Sequence, residues 1–209
     1  MARSISPRKV PRGERRKLEL IAIAERLFLD RGFTETTMQM IEEAAGASKE
    51  TLYRHFSSKE QLFAGIVDRK TRELFGPESA LGQSGEPEAV LFNLGIGLLH
   101  MVLRAPAWSL LRILVAEAPR SPELGDLFYE RGPGRTLRQL AHYLAEATER
   151  RELRCGDPSR AARLFLGAVI SHYHLRCLVQ PNWKRPTERE MRSHVRSAVT
   201  MFLARYGKS

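Results

Sequence analysis

Residues 48–55 read Ser-Lys-Glu-Thr-Leu-Tyr-Arg-His and place many hydrogen-bonding side chains in one short segment. Leu52 and Phe56 are four residues apart, so on a helix they share one face and can anchor it to a core. The polar side chains then point away from that core. Lysine can donate to guanine, glutamate can accept from cytosine N4, and threonine can pack on a thymine methyl group. The segment therefore predicts a helix suited to reading base edges in a major groove.

The candidate DNA contacts fall into two groups. Lys49, Glu50 and Thr51 open the predicted helix, where side chains reach base edges best. Tyr53 and His55 carry donors suited to phosphate oxygens, and helix starts also attract phosphate through their free N–H groups. The complete set of candidates is Thr37, Gln39, Ser48, Lys49, Glu50, Thr51, Tyr53, Arg54, His55 and Lys59.

The elements around this segment follow from helical periodicity and capping residues. A helix over residues 14–31 is predicted to end at Gly32. Thr37 can cap a helix over 38–45, and Ser48 can cap the helix ending near Phe56. Two short helices then meet at Gly46, the arrangement of a helix-turn-helix. Ser58 and Gln61 form a capping-box pattern that opens a longer helix to about residue 75.

The rest of the chain also has helical periodicity and no convincing strand. Helices are predicted at about 88–104, 107–117, 122–151, 158–179 and 187–206, with Gly132-Pro133-Gly134 expected to kink or split the third. Residues 76–87 are rich in Gly and Pro, which indicates a linker. The expected fold is all-α: a flexible basic arm (1–13), a three-helix helix-turn-helix domain (14–75) and a helical ligand-binding and dimerisation domain (76–209).

The charge balance favours an anionic partner. The chain has 34 Lys+Arg against 24 Asp+Glu, a net charge of +10, which suits nucleic acid or an acidic membrane surface. Basic residues are concentrated at 1–17, where a solubilising tail is the simpler alternative. No apolar stretch approaches the ~18 residues of a membrane span, so a cytoplasmic protein without membrane contact is expected. Cys155 and Cys177 are isolated, which favours reduced thiols.

Several pieces of the sequence, in order and spacing, resemble the DNA-binding domain of the TetR family over about residues 15–65. They are Leu27-Phe28, Gly32-Phe33, Thr36-Thr37, Ile41, Ala45-Gly46, Ser48, Thr51-Leu52-Tyr53-Arg54-His55-Phe56 and Ser58-Lys59. Further pieces are similar to AefR-like regulatory domains: Leu114–Arg120, Pro122-Glu123-Leu124, Phe128-Tyr129 and Leu164–Gly167. The resemblance implies a DNA-binding regulator, by default a repressor, that dimerises through its last two helices and holds a ligand among the others.

Two sets of residues are candidates for these roles, although ordinary core packing is the alternative for both. A largely apolar or aromatic effector would contact Leu99, His100, Met101, Trp108, Leu111, Leu114, Phe128, Tyr129, Tyr143, Phe165, His172 and Tyr173. The homodimer interface would contain Phe165, Ala168, Val169, His172, Leu175, Val195, Ala198, Val199 and Phe202.

Other classes of function have weaker support. His172 and His174 are two residues apart, so they point to different sides of a helix and do not predict a metal site. No catalytic motif is present, and neither an enzyme nor a cofactor is expected. An apolar-ligand carrier with a lipid-binding arm, or an enzyme using the His172 region, remains an alternative. Salt-sensitive preference for one duplex would separate a regulator from a carrier, and turnover with added metal would identify an enzyme.

The expected mechanism is that of a symmetric homodimer on double-stranded DNA. Its two recognition helices would enter successive major grooves of a partly palindromic operator, about 34 Å apart. A ligand releases DNA only if it binds better to a conformer with wrongly spaced reading helices. The helix over 59–75 joins both predicted domains, so it is expected to transmit the effect of ligand binding to the reading helices.

Overall fold

The structure, a computed structural model, describes residues 11–75, 85–180 and 182–208, without the side chains of residues 73–75. Most of the predicted basic arm, the linker residues 76–84 and the side chain of Leu74 lie outside this description. The described residues form ten helices: α1 (Arg12–Arg31), α2 (Met38–Ala45), α3 (Lys49–His55), α4 (Lys59–Phe75), α5 (Pro87–Leu103), α6 (Ala105–Glu117), α7 (Pro122–Arg131), α8 (Pro133–Glu149), α9 (Pro158–Val179) and α10 (Glu188–Tyr206).

The all-α prediction is confirmed for this part of the chain, where the only strand-like pairing is an isolated bridge between Leu153 and Gly207. Gly132 separates α7 from α8, so the Gly-Pro-Gly triplet splits the predicted long helix instead of only bending it. Among the described helices none is long and apolar enough on its own to cross a membrane. The pair α5 and α6 meets those criteria of length and composition only together, with a bend of 68°.

The chain divides into two compact units, residues 1–66 and 67–209, so the division falls within α4. The first unit is built on three aromatic rings. Phe28 lies 5.1 Å from Phe33 and 6.1 Å from Phe63 between ring centroids, and the Phe33 and Phe63 rings are 5.8 Å apart. All three side chains are buried, as are Ile41 of α2 and Leu52 of α3. One small core therefore holds α1 to α4 in place.

The second unit surrounds a larger apolar core contributed by α5, α8, α9 and α10. Gly95 of α5 faces Val195 of α10 so closely that a Cβ atom at residue 95 would lie 2.6 Å from Val195 Cγ1. The missing side chain therefore lets these two helices approach each other. Asp157 caps α9, and Thr187 and Glu190 form a reciprocal capping box at the start of α10. These caps fix where the last two helices begin.

Candidate nucleic-acid interface and candidate ligand cavity

The α2–α3 pair has the geometry of a helix-turn-helix. Thr37 Oγ1 accepts from the Met40 N–H at 3.2 Å to start α2, and α2 ends at Gly46 with a left-handed φ of 53°. Ser48 Oγ accepts from the Thr51 N–H at 3.2 Å to start α3. Leu52 and Phe56 are buried, so the underside of α3 is fixed to the core as its spacing predicts.

The outer side of α3 carries the predicted polar side chains. Tyr53 is 44% exposed, and Lys49, Glu50 and Arg54 are also exposed. Glu50 and Arg54 approach each other at 4.0 Å, an exposed pair of one positive and one negative charge. These exposed side chains can therefore offer hydrogen-bond donors and acceptors to a DNA groove while Leu52 and Phe56 stay buried in the core.

The remaining residues of the predicted DNA-binding set lie nearby on the same unit. The Thr51 and Ser48 hydroxyls are 2.9 Å apart, Gln39 Nε2 donates to Glu43 Oε1 at 2.9 Å, and His55 is half-buried. Thr37 is exposed at the start of α2. The structure thus brings the candidates of α2 and α3 onto one helix pair, as expected from the turn at Gly46.

The beginning of α1 adds basic groups that the sequence assigned only to a charged arm. Arg16 donates to the carbonyl oxygens of Ala45 and Gly46 at 3.0 and 3.4 Å, so it ties α1 to the turn of the helix-turn-helix. Arg12 and Arg15 line a depression together with Arg54 and His55 of α3, and the lining also includes the carboxylate of Glu19, 3.8 Å from Arg15. An anionic ligand such as a phosphate would meet several cations there. The excess of basic residues at 1–17 indicated a positively charged surface, but it did not show that Arg12 and Arg15 lie near Arg54 and His55.

Lys59 has a different environment from the other candidates. Its ammonium group donates to the carbonyl oxygens of Phe33, Thr34 and Thr36 at 2.9, 3.3 and 3.4 Å. It also lies 4.5 Å from the centroid of the Phe33 ring. The charge that was predicted to face phosphate is therefore directed into the turn between α1 and α2.

The second unit contains a mainly apolar cavity of about 360 Å³ between α4, α5, α6, α7, α8 and α9. This volume lies near the lower end of the range of small-molecule sites, roughly 300 to 1,000 Å³. The apolar lining consists of Val67, Leu98, Met101, Val102, Ala107, Trp108, Leu110, Leu111, Phe128, Pro133, Leu137, Leu166 and Ile170, with Gly132 and Gly167 also on the wall.

Few polar groups face the cavity. Thr71 and Thr136 donate their hydroxyl protons to the carbonyl oxygens of Val67 and Gly132, at 2.9 and 3.2 Å, which leaves them as acceptors. Burial lowers the pKa of His174, so its imidazole is neutral at pH 7 and has both a donor and an acceptor nitrogen. Ser171, Lys70 and Arg163 complete the polar lining. The wall therefore suits an apolar molecule with a small number of hydrogen-bonding groups.

The cavity includes four of the residues predicted to contact a ligand: Met101, Trp108, Leu111 and Phe128. The others lie elsewhere. Leu99, Leu114, Tyr143, Phe165 and Tyr173 are buried in packed positions, and burial raises the pKa of Tyr143 to about 12. His100, Tyr129 and His172 are exposed, and His100 Nε2 is 2.8 Å from Glu188 Oε2.

His174 is one of the cavity residues that the sequence did not indicate, and it is the one with an ionisable side chain shifted by burial. It belongs to the His172-Tyr173-His174 run, in which each side chain takes a different direction. His172 is exposed, Tyr173 is buried, and His174 reaches the cavity. Among the described residues no group of three His, Cys, Asp or Glu side chains is placed to hold a metal ion. Val169 of α9 is buried in the core, and His174 follows it by five residues. His174 faces the cavity because of how α9 is rotated about its axis, which the His-Tyr-His run does not determine.

The residues predicted for the dimer interface also separate into two groups. Six of them form part of the chain's own core: Phe165, Val169, Val195, Ala198, Val199 and Phe202. His172 and Leu175 are exposed on α9, whereas Ala168 is half-buried and packs against the core. The exposed large apolar side chains of α9 and α10 are Leu164, Leu175, Val179 and Met201. The exposed apolar side chains of these two helices therefore differ from the predicted interface residues, with the exception of Leu175.

Comparison with known proteins identifies both halves of the chain. Residues 20–66 match the model of bacterial regulatory proteins of the tetR family. Residues 89–208 match the model of the AefR-like transcriptional repressor C-terminal domain. The two matches agree with the positions of the helix-turn-helix and of the cavity-bearing unit.

Solved structures with the same fold cover nearly the whole chain. A putative TetR-family transcriptional regulator from Mesorhizobium loti MAFF303099 is 31% identical over 95% of this chain and all of its own, with a TM-score of 0.80. The flavonoid-responsive regulator FrrA is 33% identical over 93% of this chain and 98% of its own, with a TM-score of 0.76.

Curated relatives match shorter stretches. The transcriptional activator FasR of Mycolicibacterium smegmatis is 44% identical over 66 residues, 32% of this chain and 30% of its own length. The transcriptional repressor KstR2 of Rhodococcus jostii is 40% identical over 70 residues, 34% of each. The matched segments thus span about a third of these two relatives. Since the match to the C-terminal model alone covers more than half of the chain, this protein belongs to the TetR family of bacterial transcriptional regulators, whose members bind DNA and act as dimers.

Proposed function

We propose that this protein is a homodimeric repressor that binds a partly palindromic operator through α3 and leaves it when a largely apolar or aromatic molecule occupies the cavity. One observation carries the proposal: α4 contains residues of the DNA-binding unit and also supplies Val67, Lys70 and Thr71 to the cavity wall. A ligand that displaces this wall acts on the helix that begins at Lys59. A regulator of this kind works in the cytoplasm, where bacterial DNA is found.

The direction of regulation is part of the proposal. The C-terminal domain matches a model described as a repressor domain, while the N-terminal relatives include an activator and a repressor. Occupation of a promoter by the dimer would exclude polymerase. Binding of the purified chain to DNA upstream of its own gene, combined with transcript levels after deletion of that gene, tests the direction. Increased transcription after deletion supports a repressor, and decreased transcription contradicts it.

The polar side chains of α3 divide into base-reading and phosphate-binding roles. Lys49→Ala should cost about 1 to 3 kcal/mol on the operator and little on scrambled DNA, because a base-edge contact is sequence-specific. Tyr53→Phe and His55→Ala should weaken binding to both duplexes by a similar factor, because phosphates carry no sequence information. Binding isotherms on the two duplexes at one salt concentration measure these ratios. Unchanged binding of Lys49→Ala to both duplexes would show that α3 does not read bases.

The lining of the cavity supports the class of effector. The wall is mostly aliphatic and aromatic, with neutral His174 among its few directional groups. The related regulator FrrA is described as flavonoid-responsive, and a planar aromatic ligand of that kind is consistent with this wall. A thermal-shift screen of aromatic and hydrophobic metabolites, including flavone and its hydroxylated derivatives, followed by operator competition, tests the effector class. If all stabilising compounds are strongly polar, the apolar-effector proposal fails.

Gly167 lines the cavity at an exposed position of α9, so a side chain can be added there to test the site. A Cβ atom at this position would meet only Ser171 Oγ, at 3.8 Å, an ordinary contact distance. Gly167→Leu should fill part of the cavity and also favour the helix, since glycine costs about 1 kcal/mol relative to alanine in a helix interior. We expect this variant to keep its operator affinity but to lose most of the thermal shift and release caused by ligands that act on the wild type.

The matched control is Gly167→Ala, which adds one methyl group and should keep most of the ligand response. Both variants are compared by thermal shift and by operator competition with the same compounds. If Gly167→Leu responds like the wild type, the effector binds elsewhere.

A further inference from the structure

The ammonium group of the half-buried Lys59 contacts the turn that joins α1 to α2. It has three protons, and the structure gives it three carbonyl acceptors, on Phe33, Thr34 and Thr36, at 2.9, 3.3 and 3.4 Å. The Phe33 ring lies 4.5 Å from the nitrogen and adds a cation–π contact. We propose that Lys59 is a positioning residue that holds the α1–α2 turn against the start of α4 and so orients the helix-turn-helix, and that it does not bind phosphate.

The turn held by Lys59 determines where α2 begins. Thr36 is fully buried, and its hydroxyl group lies 2.7 Å from the Gly32 oxygen and 3.3 Å from the Leu27 oxygen. Its neighbour Thr37 caps α2. The side chain of Thr36 thus ties the turn to α1, while its carbonyl oxygen ties the turn to α4 through Lys59. A turn fixed on both sides gives α2, and the α3 helix packed on it, a defined direction.

Three carbonyl oxygens on one turn would otherwise need water or another donor. A lysine that left them to contact a DNA phosphate would give up its bonds to the turn. The two roles therefore predict different responses to salt. Loss of a phosphate contact lowers the slope of log affinity against log salt by about 0.9, whereas loss of a positioning contact lowers operator affinity and leaves the slope unchanged. This distinction rests on the proposed DNA-binding function.

The experiment compares Lys59→Met, which removes the charge, with Lys59→Arg, which keeps it. The planar guanidinium cannot direct its donors at three converging carbonyl oxygens as an ammonium does. The probes are a short duplex selected from a randomised library with the wild-type chain, and a scrambled version of it. Measurements are made where circular dichroism shows both variants to be fully folded. We expect both variants to lose about tenfold in operator affinity, with a smaller loss on scrambled DNA and the wild-type salt slope.

Arg54→Met is the control for the slope, because Arg54 is exposed on α3 and is expected to contact DNA; its slope should fall by about 0.9. Two results overturn the proposal. If Lys59→Met lowers the slope like the control while Lys59→Arg binds like the wild type, Lys59 binds phosphate. If both variants keep the wild-type preference for the operator and only melt at a lower temperature, its role is merely structural.

A measurement without DNA tests the positioning role of Lys59 independently of the proposed DNA-binding function. Failure to select any preferred duplex would count against the regulator, but the Lys59 contacts can still be tested by hydrogen exchange. The Met40 amide, which donates to Thr37 Oγ1 at 3.2 Å, should exchange at least about tenfold faster in Lys59→Met if the turn orders the start of α2. Unchanged exchange at Met40 would overturn the positioning role regardless of DNA binding.

Discussion

Phe28→Ala should unfold the N-terminal unit and abolish DNA binding. The Phe28 side chain is fully buried and contacts both other rings of the aromatic cluster. Truncation of a buried phenylalanine to alanine costs about 3 to 5 kcal/mol, and a unit of about 60 residues has little stability to lose. Hydrogen exchange of the full chain should show loss of protection over residues 12–66, together with loss of operator binding.

Two control variants test whether the loss of stability in Phe28→Ala comes from the loss of buried aromatic volume. Phe28→Leu retains most of the apolar volume and should cost less than about 1.5 kcal/mol. Leu18→Ala changes a partly exposed side chain on the same helix and should alter stability by no more than about 0.5 kcal/mol. If Phe28→Ala leaves exchange over residues 12–66 unchanged, the three rings do not form the core of this unit.

Leu175→Glu should convert the dimer to a monomer. The Leu175 side chain is 62% exposed on α9, and His172, one turn earlier on the same helix, is also exposed. By symmetry, a carboxylate at this position would be buried twice in the interface, each time at a desolvation cost. Since a monomer contacts only one half-site, operator affinity should fall by roughly 10²- to 10⁴-fold. Sedimentation equilibrium measures the assembly, and binding to full and half operators measures the consequence.

Val115→Glu is the matched control, because Val115 is an apolar side chain of similar exposure, 54%, on α6. It should leave the dimer and its operator affinity unchanged. Dissociation caused by Val115→Glu, with Leu175→Glu still dimeric, would place the interface on α6 instead of α9.

Deletion of residues 186–209 would remove α10 and any part that it has in the dimer interface. This deletion is nevertheless a weaker test of the interface than Leu175→Glu. Val195, Val199 and Phe202 of α10 are buried in the chain's own core, so the deletion removes part of the fold as well as a surface. A monomer or aggregate would then follow from unfolding, whereas Leu175→Glu changes only an exposed side chain.

The sequence by itself determined the elements, because their signals are local. Thr37, Gly46 and Ser48 act within three residues of their own helix ends, and Leu52 and Phe56 are one helical turn apart. Capping, left-handed glycine positions and i,i+4 spacing all operate over such distances. Since the polar residues of α3 leave only one apolar face, the sequence also determined which side of α3 is exposed.

Only the tertiary structure decided how distant residues meet. α9 has apolar residues around most of its circumference, for example Leu164, Phe165 and Leu166, so periodicity could not select which side faces the core. In the structure, Phe165 and Val169 are buried in the core, Leu175 is exposed, and His174 lines the cavity. Lys59 lies 23 to 26 residues from its three carbonyl partners, and no local pattern encodes a contact over that separation. Helix faces and long-range polar contacts are fixed by packing, which depends on all the helices at once.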